Sequence, residues 1–286
     1  MNNLLLCCDV DRTVLPNGNA SETPGVRDIF TQVVEQTGLT LVYVSGRDRR
    51  QLLDAISEYH IPVPHYAIGD VGTTLYHIQD DEWLENEDWA EHIGEDWQHS
   101  HANTLQHYLD DMPELTIQEP AKQNIHKLSF YAATDIPERR LVNAIQHRLD
   151  THQIKANIIY SIDETIDTAL VDILPQRASK LHAVEFFIER YGYDKAATVF
   201  AGDSGNDLPV LISDIPAVLV NNAHTSVKNT ARRLADRQGF AQQLYFAHGG
   251  YYGLNGNYTA GILEGLAHYH PEIRQTLASI ISSINN

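Results

Sequence analysis

The stretch that most constrains the fold is Leu4-Leu5-Leu6-Cys7-Cys8, an apolar run that breaks off into Asp9-Val10-Asp11. A short run with no polar alternation is the pattern of a parallel strand buried on both faces, and it requires layers on either side of its sheet. Side chains two residues apart share one face of a strand, so Asp9 and Asp11 project into the same crevice at its end. Carboxylates held that close stay ionised only beside a cation, or else one of them keeps a proton. A divalent metal, with one Asp free to attack a phosphorus atom, satisfies this arrangement. A plain Asp-rich turn does so too, and the rest of the chain must separate the two.

The chain has 286 residues, enough to bury one large core or two smaller ones, and 43% of them are apolar. Runs such as Leu39 to Val44 are far shorter than the roughly 20 residues of a spanning helix. The N-terminus lacks a basic segment before its strand-sized apolar run, so a cytoplasmic protein without a membrane partner is expected. Cys7 and Cys8 are adjacent in a strand and point to opposite faces, which favours reduced, buried thiols. Two cysteines support neither a disulfide framework nor a zinc ribbon, and the 15 histidines show no paired ligand spacing. Net charge is −18, and the segment from Gln51 to Ala121 holds 16 acidic residues with no Lys or Arg. Such a surface repels nucleic acid and anionic lipid. An anionic substrate would have to be drawn in by a metal and a few cations near Asp9.

After the first strand, Ser21-Glu22-Thr23-Pro24 has the form of a helix start, Ile29, Phe30, Val33 and Val34 share one helical face, and Gly38 ends the helix. The next strand, Leu39 to Val44, ends in Ser45-Gly46-Arg47, which a parallel crossover brings to the same sheet edge as Asp9. Asp48 opens a helix with Leu52, Leu53, Ile56 and Tyr59 as its apolar set, stopped by Pro62 and Pro64. Short strands are expected at Tyr66 to Asp70 and Thr73 to Tyr76. Trp89, Ile93, Trp97, Leu105 and Tyr108 recur near helical spacing and predict one long amphipathic helix with its aromatics in a core. A strand at Lys127 to Tyr131, a helix from Pro137 to Asp150, and strands at Ile158 to Tyr160 and Ala169 to Leu174 follow. This order implies an α+β lid at residues 79–174, inserted between the two parts, 1–78 and 175–286, of a parallel α/β core. Lys180 then begins a helix, and a second apolar strand, Ala197 to Ala201, ends in Gly202-Asp203-Ser204-Gly205-Asn206-Asp207. A further strand (Ala217 to Val220), a helix (Ser226 to Leu234) and a helical region from Asn257 to Ile284 complete the chain.

Four separated signals converge: Asp9-x-Asp11-x-Thr13, Ser45-Gly46-Arg47, Lys180, and the Gly202 to Asp207 loop. Together and in this order they resemble the haloacid dehalogenase (HAD) superfamily of phosphatases. The phrases Val171 to Gln176, Val220-Asn221-Asn222-Ala223, Ala260-Gly261-Ile262 and His126 to Phe130 resemble its sucrose-phosphate phosphatase branch over the whole chain. Two departures stand out: Arg12 where many members carry Gly, and Ala178-Ser179 before Lys180.

The resemblance implies a Rossmann-like core with an inserted α+β cap, and hydrolysis of a sugar phosphate, sucrose 6-phosphate foremost. It implies Asp9 as the nucleophile that forms an aspartyl-phosphate. Asp11 would be the proton carrier, which requires a pKa above that of Asp9. Thr13 would brace the loop, and Ser45 and Lys180 would hold the phosphoryl group. Mg2+ would sit on Asp9, the Asp11 backbone carbonyl, Asp203 and Asp207. Gly46, Arg47, Lys127 and Asn206 complete the expected substrate contacts, and the partner implied is the synthase that makes the sugar phosphate. Another disaccharide phosphate, such as mannosylfructose phosphate, keeps the same chemistry. A receiver domain uses similar residues but predicts a single-domain chain with no lid, and a silent sugar-binding protein would not fill every catalytic position.

Overall fold

The computed structural model describes residues 4–163 and 167–284. The first half of the chain runs β1 (Leu5–Cys8), α1 (Val26–Thr37), β2 (Thr40–Val44), α2 (Arg49–Tyr59), β3 (Tyr66–Gly69), β4 (Thr74–Gln79) and β5 (Glu82–Glu85). Then come α3 (Glu87–Gly94), α4 (Ala102–His107), β6 (Thr116–Ile117), β7 (Leu128–Ala132), α5 (Glu138–Thr151), β8 (Ala156–Asp163) and β9 (Thr168–Pro175). The remainder is α6 (Lys180–Tyr191), β10 (Thr198–Gly202), α7 (Leu208–Leu211), β11 (Ala217–Leu219), α8 (Thr225–Gln238), β12 (Leu244–Phe246), α9 (Thr259–Tyr269) and α10 (Ile273–Ile284).

The strands form two sheets. One has eight strands in the order β12-β11-β10-β1-β2-β3-β4-β5, and the other has four in the order β6-β7-β9-β8. In the larger sheet β12 through β3 are mutually parallel, while β4 and β5 add an antiparallel edge that runs past residue 79. The smaller sheet is antiparallel. All four residues of β1 are buried, as a central strand covered on both faces must be. Alternation divides them: Leu6 and Cys8 join a core with Phe30, Tyr43 and Leu266, whereas Leu5 and Cys7 join one with Phe187, Phe200 and Trp89. The two cysteines are free and buried on opposite faces, and burial pushes both thiol pKa values up. A third core, with Trp97, Leu128 and Ile145, lies against the smaller sheet.

Three expectations are corrected. The helix expected from Ser21 begins at Val26, capped by Gly25 at φ 71° with no side-chain bond. The Thr23 hydroxyl is used elsewhere, accepting from Asn255 N–H, and Ser21 C=O accepts from the Asn255 and Asn257 amides. In α2 the apolar set is narrower than expected, because Leu52 and Ala55 are buried and Leu53 is 41% exposed. The long helix through the tryptophans does not form: α3 stops at Gly94, and Gln98 and His99 have positive φ before α4 starts. Trp89 and Trp97 are both buried, but in different cores, so the near-helical spacing came from two separate packing demands.

Candidate active site

β1, β2 and β10 lie side by side, and all three discharge their functional residues at the same sheet edge. Asp9 follows β1, with its N–H donating to Ala201 C=O at 2.8 Å. Ser45 and Gly46 follow β2, and Asp203 follows β10. Lys180 is the first residue of α6, whose N-cap Ser179 accepts from His182 N–H. A glycine at position 72 lets the turn after β3 press on that start, since a Cβ there would lie 2.9 Å from Ser179 C.

The Lys180 ammonium is buried and donates to Asp9 Oδ1 at 2.5 Å and Asp207 Oδ1 at 2.7 Å. The Thr13 hydroxyl donates to Asp9 Oδ2 at 3.1 Å. Asp207 Oδ2 accepts from the backbone N–H groups of Asp203 and Ser204 and closes the Gly202 to Asp207 loop. The close packing leaves no room at Gly202, where a Cβ would lie 2.7 Å from the Asp207 carboxyl. Asp9, Asp203 and Asp207 each offer an oxygen within 4.8 Å of the others. Asp203 Oδ2 is buried without a hydrogen-bond partner among the described residues, with Arg12 Nε at 3.3 Å. Three hard oxygen donors and an unsatisfied buried carboxylate oxygen fit a divalent cation of the Mg2+ type.

Asp11 takes a different position. Its carboxylate is held in a fork by Arg47, Nε to Oδ2 at 2.8 Å and Nη2 to Oδ1 at 2.7 Å, and it also accepts from Asn17 Nδ2 at 2.7 Å. This reverses the expected order of the two aspartates. Burial pushes Asp9 up, against the pull of Lys180 and with the push of Asp207, to about 7. Partial burial also pushes Asp11 up, but the Arg47 and Asn17 contacts outweigh it and hold that carboxyl below its ordinary value. Asp203 is raised to about 6 by burial, against the nearby Arg12 charge and with that of Asp207. Burial works against the Lys180 charge, yet Asp207 and Asp9 overcome it and raise its pKa.

A cavity of about 370 Å³ opens over this cluster, lined by Asp9, Asp11, Arg12, Gly46, Arg47, Gln51, Asp203, Ser204 and Asn206. The Ser45 side chain is fully buried behind it, its hydroxyl accepting from Arg47 N–H at 3.1 Å. Lys127, expected to reach the substrate from the smaller sheet, is absent from this lining and lies instead near Asp70, whose carboxyl burial pushes up and the Lys127 charge partly pulls back. Sequence reasoning missed Asn17 and Gln51. The Pro16-Asn17-Gly18 turn signal was available for the first, whereas Gln51 reads as an ordinary residue of a helical first turn.

A doubly covered, largely parallel sheet that presents two strand-end aspartates, a buried lysine and a second acidic loop at one edge defines a phosphatase of the haloacid dehalogenase type. Within that class the sequence model for sucrose-6F-phosphate phosphohydrolase matches residues 2–270, and the chain belongs to that family. It is 49% identical over 272 residues to a Nitrosococcus oceani protein named no further than a HAD-like hydrolase, covering 95% of this chain and 73% of that one. It is 27% identical to the mannosylfructose-phosphate phosphatase of Agrobacterium fabrum, over 93% and 96% of the two chains. Identity to the sucrose-phosphatase 2 of Nicotiana tabacum is 26% over 77% of this chain, which spans half the length of that enzyme. The fold matches the sucrose-phosphatase of Synechocystis sp. PCC6803, solved with sucrose and phosphate, at a TM-score of 0.68 and 24% identity, over 94% and 98% of the chains.

Proposed function

We propose that this phosphatase hydrolyses a disaccharide phosphate, sucrose 6-phosphate first, to the free sugar and phosphate with Mg2+ as its cofactor. The observation that carries the reading is the placement of Asp9: a buried carboxylate oriented by Thr13 and Lys180, with Asp11 lining the same cavity. Asp9, Asp203 and Asp207 would hold the cation, with the Asp11 backbone carbonyl in support. When bound, the cation neutralises charge on the phosphoryl oxygens. An Asp9 oxygen forms a bond to phosphorus as the sugar P–O bond breaks, and the sugar oxygen takes a proton from Asp11. Water then attacks the aspartyl-phosphate, gives its proton to Asp11 and releases phosphate. Asp11 can carry that proton once the Arg47 guanidinium leaves it for the phosphate ester. Lys180 keeps the nucleophile in place, and Gly46 and Asn206 line the phosphate side of the cavity. The smaller sheet and its helices act as the cap that selects the sugar. The same reading puts the enzyme in the cytoplasm beside the synthase that supplies it.

The test is a panel of disaccharide and monosaccharide phosphates with Mg2+, read as phosphate release. Sucrose 6-phosphate should have the highest kcat/KM. Release from no disaccharide phosphate would overturn the substrate assignment, and turnover surviving Asp9→Asn would overturn the nucleophile. A second reading, mannosylfructose phosphate, is favoured by the near-complete mutual coverage with the Agrobacterium fabrum enzyme. The ranking of those two substrates decides between them.

A further inference from the structure

Arg12 occupies a backbone conformation that disfavours any residue but glycine, with φ at 60°. The conformation is fixed from both sides. Its N–H donates to Asn17 Oδ1 at 2.7 Å, and its C=O accepts from Asn222 Nδ2 at 2.7 Å. Local strain of this kind persists only where the surroundings over-determine it. Its effect is to place a guanidinium against Asp203, with Nε 3.3 Å from Oδ2, the buried oxygen that has no hydrogen-bond partner among the described residues.

That contact is unlike the one Lys180 makes. Lys180 is buried and doubly hydrogen-bonded, so it is fixed, whereas the Arg12 side chain is 48% exposed and forms part of the cavity wall. It therefore touches a metal-type oxygen on its inner side and open space for an anion on the other. A guanidinium and a divalent cation repel each other at one carboxylate oxygen, so the pairing seen here weakens cation binding. A phosphate dianion in the cavity offers the guanidinium a replacement partner.

We infer that Arg12 is a resident counter-ion that competes with the divalent cation for Asp203 and exchanges that partner for phosphate, which makes cation and phosphate bind cooperatively. This rests on the cation reading of the acidic cluster given above. By linkage the coupling is reciprocal, so each ligand tightens the other by the same factor.

The experiment measures Mn2+ binding to the full chain by electron paramagnetic resonance of the free ion, with and without inorganic phosphate. Arg12→Gly removes both the charge and the backbone strain, Arg12→Gln removes the charge alone, and Arg12→Lys retains a cation. Without phosphate, the Gly and Gln variants should bind Mn2+ about three- to fivefold more tightly than wild type, the size of a half-exposed charge pair. The tightening that phosphate brings to wild type should shrink in both by a similar factor, and the Lys variant should stay nearer wild type. Unchanged or weaker Mn2+ affinity in both variants, or phosphate tightening equal to that of wild type, would overturn the exchange. So would a change confined to Arg12→Gly, which would trace to backbone relief. Wild type failing to bind Mn2+, or binding it no better than Asp203→Asn, would overturn the cation reading itself and this inference with it.

Discussion

Lys180→Met tests what holds the acidic cluster together in the absence of a cation. The ammonium bridges Asp9 at 2.5 Å and Asp207 at 2.7 Å, so its loss leaves three buried carboxylates within 4.8 Å of one another, opposed among the described ion pairs by Arg12 at the outer edge. Removing one partner of a buried ion pair costs about 3–5 kcal/mol. At roughly 2 °C per kcal/mol for a chain of this size, Tm should fall by about 6–10 °C. The loss depends on pH in a direction set by burial. Asp9 and Asp203 are raised from 3.8 to about 7 and about 6, so the folded protein holds protons there that the unfolded chain has already released. Stability falls as pH rises through that window, and the repulsion is complete only above it. Lys180 itself is raised, so its contribution is present at every pH below its ordinary 10.5. The deficit should therefore be largest at pH 8, smallest near pH 5, and partly restored at pH 8 by saturating Mg2+. Urea unfolding followed by tryptophan fluorescence, in a chelator and then with Mg2+, measures all three. A deficit of equal size at both pH values would refute the electrostatic account and leave only lost packing.

Gly265→Ala should destabilise by about 1–3 kcal/mol in the same assay, because a Cβ there would lie 2.0 Å from Val218 Cγ2 where α9 crosses β11. Asp48→Ala removes a capping box, in which the carboxylate accepts from Gln51 N–H at 2.8 Å, and should lower stability by about 1 kcal/mol in thermal melts. Buried Glu264 accepts from Tyr245 Oη at 2.9 Å and from the His248 and Gly249 N–H groups at 3.0 and 2.9 Å. Glu264→Ala should cost about 3 kcal/mol and, in hydrogen exchange, release the loop around Gly249 before the sheet.

What the sequence makes legible here follows the physics of each signal. The buried strand, its two terminal aspartates and the second acidic loop are readable because a doubly covered strand carries no charged residue until it ends, so Cys8 to Asp9 and Gly202 to Asp203 mark the sheet edge themselves. Edge strands carry no such mark. β5 is Glu82-Trp83-Leu84-Glu85, acidic and exposed except at Trp83, and nothing short of its pairing with β4 distinguishes it from a loop. The tryptophan spacing misled because periodicity reports that residues are buried, not that they share one core. Which carboxylate faces Arg47 was equally unreadable. Asp9 and Asp11 share a strand face in the sequence pattern, yet Asp11 lies beyond the strand end, where an isolated bridge to Leu15 turns the chain toward Asn17 and Arg47.

The charge count at the sheet edge explains why a chain so acidic can accept a phosphate ester. Asp9, Asp11, Asp203 and Asp207 face Lys180, Arg12 and Arg47, so with every group ionised the carboxylates exceed the cations by one. A dianion entering that site alone meets a like charge, inside a protein whose net charge is −18. A dication on the three buried carboxylates would reverse the local sign, and the two guanidiniums, each now engaged with an aspartate, would become the mobile part of the positive field. Lys180 cannot serve that purpose, since its bonds to Asp9 and Asp207 are what keep the end of β1 and the acidic loop together. The division between one buried, fixed cation and two partly exposed, exchangeable ones is the electrostatic form of the site. On the function proposed above, it would make substrate recognition conditional on a bound cation through the side chains of Arg12 and Arg47.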